Sequence, residues 1–208
     1  MVVALVFPPA TAALVREFLP PGARVIAVDA GAEALRAAGV RPDLVVGDMD
    51  SISGATLAAL EVEGVRVERH PTAKRDSDGA LALAHAKDRE VVFLGPGGGR
   101  ADHSLANLHL LVRASAGANA RAIDVDSFTW VVTPDRPLRL ARPAGTTLSV
   151  LPFGGPAHGV TYSGLRYALN DASMGTGDPY GISNECLAPP QEIRVREGIL
   201  LVIEPRGA

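Results

Sequence analysis

The sequence predicts an α/β domain followed by an all-β domain, and three observations lead to this prediction. Short apolar runs rich in β-branched residues alternate with Ala- and Leu-rich segments up to about residue 127. Helical periodicity then disappears, and Thr, Val, Gly and Pro dominate the rest of the chain. The 208 residues, 47% of them hydrophobic, suffice for one large domain or two small ones. We therefore predict an α/β domain over 1–127 and a β-sandwich over 128–208.

The alternation in the first domain is typical of a mostly parallel sheet flanked by helices. Strands are predicted at 2–7, 24–29, 44–47, 65–69, 90–95 and 121–126. Helices are predicted at 11–19, 31–38, 54–62, 77–87 and 102–116. Ligands of such sheets bind beyond the carboxyl ends of the strands, so the strand-to-helix junctions are where we expect a functional site.

In the second domain the segment "IRVREGILLVIEP" predicts a β-hairpin that turns at Glu197-Gly198. The remaining short strands are separated by Gly- and Pro-rich pieces that are short enough to be loops.

Charge and cysteine content narrow the class of protein. The formal net charge is −3 and the basic residues are scattered, which argues against nucleic acid as a main partner. One cysteine, Cys186, allows no internal disulfide and fits a reducing compartment. The opening "MVVALVF" is too short to span a bilayer, and Pro8-Pro9 follows it directly. We therefore expect a cytoplasmic protein that has no membrane partner.

Carboxylates follow three of the predicted strands. Asp29 ends the second strand, Asp48 and Asp50 follow the third in "GDMDS", and Asp78 follows the fourth in "HPTAKRDSDGALAL". Each junction has a purely structural interpretation as well, because Asp and Ser are preferred helix N-caps. The residues open to that interpretation are Asp29, Asp50, Ser51, Asp76 and Ser77.

Capping explains single carboxylates but not four of them along one sheet edge. Two carboxylates about 4 Å apart repel each other by roughly 4 kcal/mol at an effective dielectric constant near 20. A divalent cation removes this repulsion, and oxygen ligands without His or Cys favour Mg²⁺ or Mn²⁺. The clustering of carboxylates therefore predicts a site for Mg²⁺ or Mn²⁺ at the strand ends.

A glycine-rich junction after the fifth strand, "GPGGGRADHSLAN", predicts an anion-binding loop. Glycines let backbone N–H groups approach phosphate closely, Arg100 adds a guanidinium, and a helix N-terminus follows. The spacing fits neither the dinucleotide fingerprint nor the P-loop. His103 and Asn107 share a face of that helix, and His103 is either a satisfied core or capping histidine or a ligand contact.

Together, these motifs resemble those of the thiamine pyrophosphokinase family. The resemblance is carried, in the family's order and across nearly the whole chain, by "VDAG", "GVRPDLVVGDMDS", "KRDSD", "GPGGGRADHSLAN", "GVTYSGLRYAL" and "GISNE". It implies a catalytic α/β domain over 1–127 and a thiamine-binding β-sandwich over 128–208. It also implies a homodimer in which the sandwich of one subunit completes the site of the other. The implied reaction transfers the pyrophosphoryl group of ATP to the hydroxyl of thiamine and leaves AMP.

The resemblance also implies roles for individual residues. Catalytic roles fall on Asp48, Asp50 and Asp78, and the same three with Asp29 match the family's ligands for Mg²⁺. ATP or phosphate contacts are implied for Asp29, Gly31, Ser51, Lys74, Gly98, Arg100, Asp102, His103 and Asn107. Thiamine contacts are implied for Tyr167, whose ring matches an aromatic stacking position, and for Ser183 and Asn184.

One departure from the family's pattern bears on the metal site. The family's K-D-x-T-D segment is Lys74-Arg75-Asp76-Ser77-Asp78 here, so Arg75 stands at an acidic position. Either Asp76 supplies the missing charge, or a metal or phosphate contact has changed.

Three other functions remain open at this level. "DMDS" is similar to the D-x-D nucleophile of haloacid-dehalogenase-type phosphatases, which however normally follows the first strand and continues with Gly-Thr. The metal and phosphate motifs also suit a pyrophosphokinase with another acceptor, such as a hydroxymethylpterin, although the β-domain motifs favour thiamine. A non-catalytic nucleotide or thiamine-binding protein, inactivated through Arg75, is the third.

Overall fold

A computed structural model describes residues 1–206 of the chain. These form two compact units, one from Met1 to Val125 and one that begins at Asp126. The division falls after Val125, whereas the sequence places it after Ser127. The fold class, an α/β domain and an all-β domain, is confirmed.

The first unit contains a parallel sheet of six strands in the order β6-β5-β1-β2-β3-β4. The strands are β1 (Val2–Val6), β2 (Arg24–Val28), β3 (Leu44–Gly47), β4 (Arg66–Arg69), β5 (Glu90–Leu94) and β6 (Asn119–Ile123). The helices are α1 (Ala12–Phe18), α2 (Gly31–Ala38), α3 (Gly54–Val62), α4 (Asp78–Ala84) and α5 (Ala101–Ser115). All eleven elements were expected from the sequence, but β6 begins two residues earlier than predicted, where Asn119 pairs with Glu90.

The core of this unit follows from its strands. Successive residues of β1 and β5, including Val3 to Val6 and Val91 to Leu94, are buried, as expected of central parallel strands that are covered on both faces. Because these strands are parallel, the carboxyl ends of β2, β3 and β5 lie along one edge of the sheet, on both sides of β1.

The second unit consists of two four-stranded antiparallel sheets, in the orders β12-β9-β14-β7 and β11-β10-β13-β8. The strands are β7 (Ser127–Val132), β8 (Leu138–Leu140), β9 (Thr147–Pro152), β10 (Ala157–Ser163), β11 (Leu169–Met174), β12 (Asn184–Glu185), β13 (Gln191–Arg194) and β14 (Leu200–Pro205). One buried cluster draws side chains from both sheets, among them Val150, Val160, Ile193 and Leu200.

The hairpin predicted at Glu197-Gly198 is wrong. β13 pairs with β10 and β8, whereas β14 pairs with β7 and β9, so the turn carries the chain from one sheet to the other. Both strands have apolar residues to bury, and a place in opposite sheets lets both face the same core. Gly198 has φ +90°, and a Cβ there would lie 2.6 Å from the Pro156 carbonyl oxygen, so the turn requires glycine.

Within residues 1–206, no helix has the length and apolar character needed to cross a membrane.

Candidate active site

Asp29 directly follows β2 in a strained and crowded position. Its φ is +44°, a conformation that is uncommon for a residue other than glycine, and its side chain is only 6% exposed. A Cβ on Gly47 at the end of β3 would lie 2.9 Å from the Asp29 Cβ. The glycine therefore lets the two strand ends carry their polar groups side by side.

The loop after β3 brings two more carboxylates to Asp29. Met49, buried between Asp48 and Asp50, has φ +65°, and the Asp50 N–H donates to Asp48 Oδ1 over 3.3 Å. The Ser51 hydroxyl donates to Asp29 Oδ2. Backbone strain of this kind is typical of functional sites.

Asp29, Asp48 and Asp50 form a carboxylate cluster that suits a metal ion. Each offers an oxygen, and these three oxygens lie within 4.8 Å of one another. Asp29 Oδ1 is buried and has no hydrogen-bond partner among residues 1–206. A buried carboxylate oxygen without a partner is costly unless a cation occupies the space beside it. The donor set therefore fits a hard divalent cation such as Mg²⁺.

Electrostatic effects differ within the cluster. The negative charge of Asp48, together with partial burial and Asp29, raises the pKa of Asp50. At Asp48 burial acts in the same direction, but hydrogen bonds from the Asp50 N–H and from Lys74 outweigh it and lower the pKa. The cluster thus retains unbalanced negative charge at Asp50, its exposed side.

The capping interpretation fails for four of the five residues open to it. Ser53 caps α3 by accepting from the Thr56 N–H, and α2 begins after Ala30 with no side-chain cap. Only Ser77 acts as a cap, since its hydroxyl accepts the Ala80 N–H at the start of α4. No capping role therefore explains the carboxylates of Asp29 and Asp50.

Asp78 joins the cluster indirectly, through Lys74. Lys74 Nζ lies 3.3 Å from Asp48 Oδ2 and 3.1 Å from Asp78 Oδ1. Burial lowers the pKa of Lys74, but the two carboxylates outweigh burial and raise it, so the lysine is a fixed positive charge. Among the described residues, Asp78 is outside the group of carboxylates close enough to share one ion. Arg75 and Asp76, between Lys74 and Asp78, are exposed.

The glycine-rich loop after β5 is shaped by Asp124. The Gly97 N–H donates to Asp124 Oδ1 over 2.7 Å, and a Cβ on Gly97 would meet that carboxylate at 3.0 Å. Gly98 and Gly99 have φ values of +82° and +66° and are exposed. The loop is therefore anchored at its first glycine and presents the next two to solvent.

Arg100 precedes α5 and is bound by its neighbour. Its guanidinium makes two hydrogen bonds to Asp102, of 3.1 and 2.6 Å, and both side chains are largely exposed. The hydrogen bond from Arg100 lowers the pKa of Asp102 to about 2. An incoming phosphate would therefore compete with a carboxylate for this guanidinium.

Three further residues for which phosphate contacts were expected, His103, Asn107 and Gly31, are either exposed or have a structural role. His103 is exposed, which excludes the core interpretation. Asn107 is half-buried and donates to the Pro96 carbonyl oxygen over 2.8 Å, which ties α5 to the loop. Gly31 is buried, and a Cβ there would lie 2.0 Å from the Val6 carbonyl oxygen, so packing of α2 against β1 requires glycine at this position.

In the second unit, Tyr167 lies in the loop between β10 and β11, and 66% of its surface is exposed. Asn184 is only 4% exposed and holds the backbone of Tyr167: its Oδ1 accepts the Tyr167 N–H over 3.0 Å, and its Nδ2 donates to the Tyr167 carbonyl over 2.9 Å. Ser183 is exposed with φ +54°. Asn184 thus supports the loop, whereas Tyr167 and Ser183 reach solvent.

Two supporting residues escaped the sequence analysis. Glu33 accepts the Ser53 N–H over 2.8 Å and the Thr56 hydroxyl over 2.6 Å, which fixes the loop after Asp50 to α2. Asp124 fixes the glycine loop, as described above. Glu33 carried no signal in the sequence beyond an acidic first helical turn. Asp124 carried one, because it directly follows the Ile123 strand end at the predicted functional edge of the sheet.

Comparison with known proteins agrees with this site. The family model described as "Thiamin pyrophosphokinase, catalytic domain" matches residues 16–123, and "Thiamin pyrophosphokinase, vitamin B1 binding domain" matches 136–200. The fold and the site thus define an ATP-dependent pyrophosphotransferase. The chain belongs to the thiamin pyrophosphokinase family, and the resemblance seen in its motifs is confirmed.

Individual relatives cover almost the whole chain. The thiamine pyrophosphokinase of Bacillus subtilis is 29% identical over 182 residues, which make up 86% of this chain and 85% of the relative. A crystal structure of thiamine pyrophosphokinase from Bacillus subtilis has a TM-score of 0.88 at 26% identity, with 100% of both chains covered. The thiamin pyrophosphokinase of Candida albicans, at 15% identity and a TM-score of 0.80 over 99% of this chain and 89% of its own, shares the fold.

Proposed function

We propose that the protein is a thiamine pyrophosphokinase, which transfers the pyrophosphoryl group of ATP to the hydroxyl of thiamine and releases AMP. The observation that carries the proposal is the carboxylate cluster of Asp29, Asp48 and Asp50, with its buried unpartnered oxygen, beside Lys74. The family assignment selects the reaction, and the cluster provides oxygen ligands for the divalent cation that accompanies the triphosphate.

Asp29, Asp48 and Asp50 would hold Mg²⁺, which when bound neutralises the charge that builds on the phosphates as AMP leaves. Lys74 keeps Asp48 and Asp78 in place through its two ion pairs. Asp78 lies outside the group that could share one ion, and would act on the site through its ion pair with Lys74.

The anionic chain of ATP is proposed to lie on the loop of Gly98 and Gly99 and at the start of α5. Both glycines are exposed and carry no side chain, so a phosphate could approach their backbone N–H groups closely. Arg100 would exchange Asp102 for a phosphate oxygen, because a doubly charged phosphate is a stronger partner than one carboxylate. His103 and Ser51 supply further polar contacts from the exposed surface.

Thiamine is proposed to bind on the exposed face of the Tyr167 ring. Ser183, which directly precedes Asn184 in the sequence, is proposed as a further contact. The aminopyrimidine of thiamine can stack on the phenol ring, and its positive thiazolium is attracted by aromatic faces and by carboxylates. We propose that the active form is a homodimer in which the β unit of one subunit completes the site of the other, and that the protein acts in the cytoplasm.

The proposed reaction is tested by ³¹P NMR of the purified protein with ATP, Mg²⁺ and thiamine. AMP together with thiamine pyrophosphate is the expected outcome. ADP would show that the transferred group is a single phosphoryl group, and unchanged ATP would contradict the activity. If AMP forms with a hydroxymethylpterin but not with thiamine, the acceptor is wrong and the transferred group is right.

A further inference from the structure

The segment between His70 and His85 supplies two residues of the site, and its first half is an exposed loop, whereas α4 in its second half packs against the sheet and α5. It carries Lys74 and Asp78, and most of the loop before α4 is exposed. α4 spans only seven residues, of which Gly79 and Ala82 are buried. A helix this short is not stable in isolation, so tertiary contacts must hold the segment in place.

Glu68 on β4 contacts both ends of this segment. Its Oε1 lies 3.0 Å from His70 Nε2 and 3.2 Å from His85 Nε2. Its Oε2 lies 3.1 Å from the guanidinium of Arg66. Because an ionised carboxylate only accepts hydrogen bonds, both imidazoles must carry a proton on Nε2 to make these bonds.

We propose that Glu68 is a positioning residue, which clamps His70 and His85 together and thereby holds Lys74 and Asp78 against Asp48. The inference rests on the proposed function only for its effect on catalysis. The clamp itself is a statement about the segment 70–85.

The position of the clamp explains why it matters for the site. It joins the residue that leaves β4 to the residue that ends α4, so everything between them forms a closed loop. Ends that are held together reduce the number of conformations open to the chain between them. Lys74 can then bridge Asp48 and Asp78 without having to order the loop by itself.

Other contacts at the two ends each hold one end of the segment. The His70 N–H donates to the Gly47 carbonyl, which fixes the start of the segment to β3. Arg24 donates to the His85 carbonyl over 2.9 Å, which fixes the end to β2. Each tie holds one end, whereas Glu68 contacts both. The hydrogen bonds from the two imidazoles also affect the ionisation of the carboxylate. Burial raises the pKa of Glu68, but the hydrogen bonds from His85 and His70 outweigh burial and lower the pKa.

The clamp is tested by limited trypsin digestion of the full chain, followed by mass spectrometry of cleavage after Lys74 and Arg75. In Glu68→Ala we expect cleavage there to accelerate by roughly tenfold or more, because local opening controls access to the bond. Glu68→Gln keeps an acceptor oxygen for both imidazoles, and cleavage should stay within about threefold of the parent protein. The matched control is Glu61→Ala, which removes an exposed ion pair to Arg69 beside the same strand and should leave the rate unchanged.

Kinetics distinguish a positioning role from a loss of general stability. Glu68→Ala should raise KM for MgATP by roughly tenfold and leave KM for thiamine within about twofold, with Glu68→Gln close to the parent protein. Equal cleavage rates in Glu68→Ala and the parent protein would overturn the clamp. If Glu68→Ala fails to fold, His85→Leu serves in its place, since it frees one end of the segment and leaves the carboxylate paired with His70. Digestion needs no catalytic activity, so the clamp can fail or hold independently of the proposed reaction.

Discussion

The acidic edge of the first unit, formed by Asp29, Asp48 and Asp50, differs from the Tyr167 loop of the second unit, between β10 and β11, in how polar groups find hydrogen-bond partners. At the acidic edge, Asp29 Oδ1 is buried without a hydrogen-bond partner in the described chain, and Asp50 faces the charge of Asp48. In the Tyr167 loop, Asn184 is buried with both ends of its amide bonded to the Tyr167 backbone. The acidic edge therefore has a buried oxygen that lacks a partner, whereas both polar atoms of the Asn184 side chain have one.

The difference teaches which substitutions separate function from stability. Removing a carboxylate from the acidic edge takes away repulsion that folding must overcome, so activity should fall while the fold persists. Removing Asn184 takes away the partner of the N–H and the carbonyl of Tyr167, so stability and ligand binding should fall together. Four predictions test this contrast, from the largest expected effect to the smallest.

Asp50→Asn should reduce turnover by about a thousandfold or more, because it removes one of the three proposed metal ligands and its charge. The unfolding temperature without metal should stay unchanged or rise, since the repulsion from Asp48 is relieved. AMP formation and thermal unfolding, measured on the same preparation, check both parts. Asp135→Asn is the control, because Asp135 is exposed and outside the carboxylate cluster. Full activity in Asp50→Asn would remove Asp50 from the mechanism.

Asn184→Ala should lower the free energy of unfolding by about 2–4 kcal/mol, since it leaves the N–H and carbonyl of Tyr167 and the N–H of Glu185 without a partner. Denaturant unfolding measures the loss. KM for thiamine should rise in parallel, while KM for MgATP stays close to the parent value. A variant of unchanged stability but poor thiamine binding would instead indicate direct contact between Asn184 and thiamine.

Tyr167→Ala should raise KM for thiamine by roughly tenfold, which corresponds to the loss of one stacking contact. Tyr167→Phe should stay within about twofold, since the ring face and not the hydroxyl makes the proposed contact. Neither variant should alter thermal unfolding noticeably, because the ring is 66% exposed. Unchanged steady-state kinetics in Tyr167→Ala would show that thiamine binds elsewhere.

Arg75→Asp restores the acid found at this position in the family's pattern and should have the smallest effect. The side chain of Arg75 is exposed and lies between Lys74 and Asp76 on the surface loop, so KM for MgATP should change by no more than about threefold. A gain of tenfold or more in turnover would mean that the acid is a missing metal or phosphate contact.

Much of the fold could be predicted because each strand and helix of the first unit carries its own local signal. Apolar β-branched runs predict strands such as Glu90–Leu94 within a residue, and glycine or serine predicts helix starts such as Gly54. The hairpin at Glu197-Gly198 could not be settled in this way. Both strands are apolar and the turn is Gly-containing, and only the partner strands decide whether the chain folds back in one sheet or crosses to another.

The same distinction between local signals and tertiary contacts applies to the candidate site. The spacing of Asp48 and Asp50, the glycine loop and the order of motifs are local, so the sequence by itself determined the edge of the sheet and the family. Only the tertiary structure decided that Lys74 joins Asp78 to Asp48, that Asn184 supports Tyr167, and that Glu68 bonds both His70 and His85. Each of these contacts joins residues from different strands, helices or loops. Their distances depend on strand register and loop path, which no local pattern encodes.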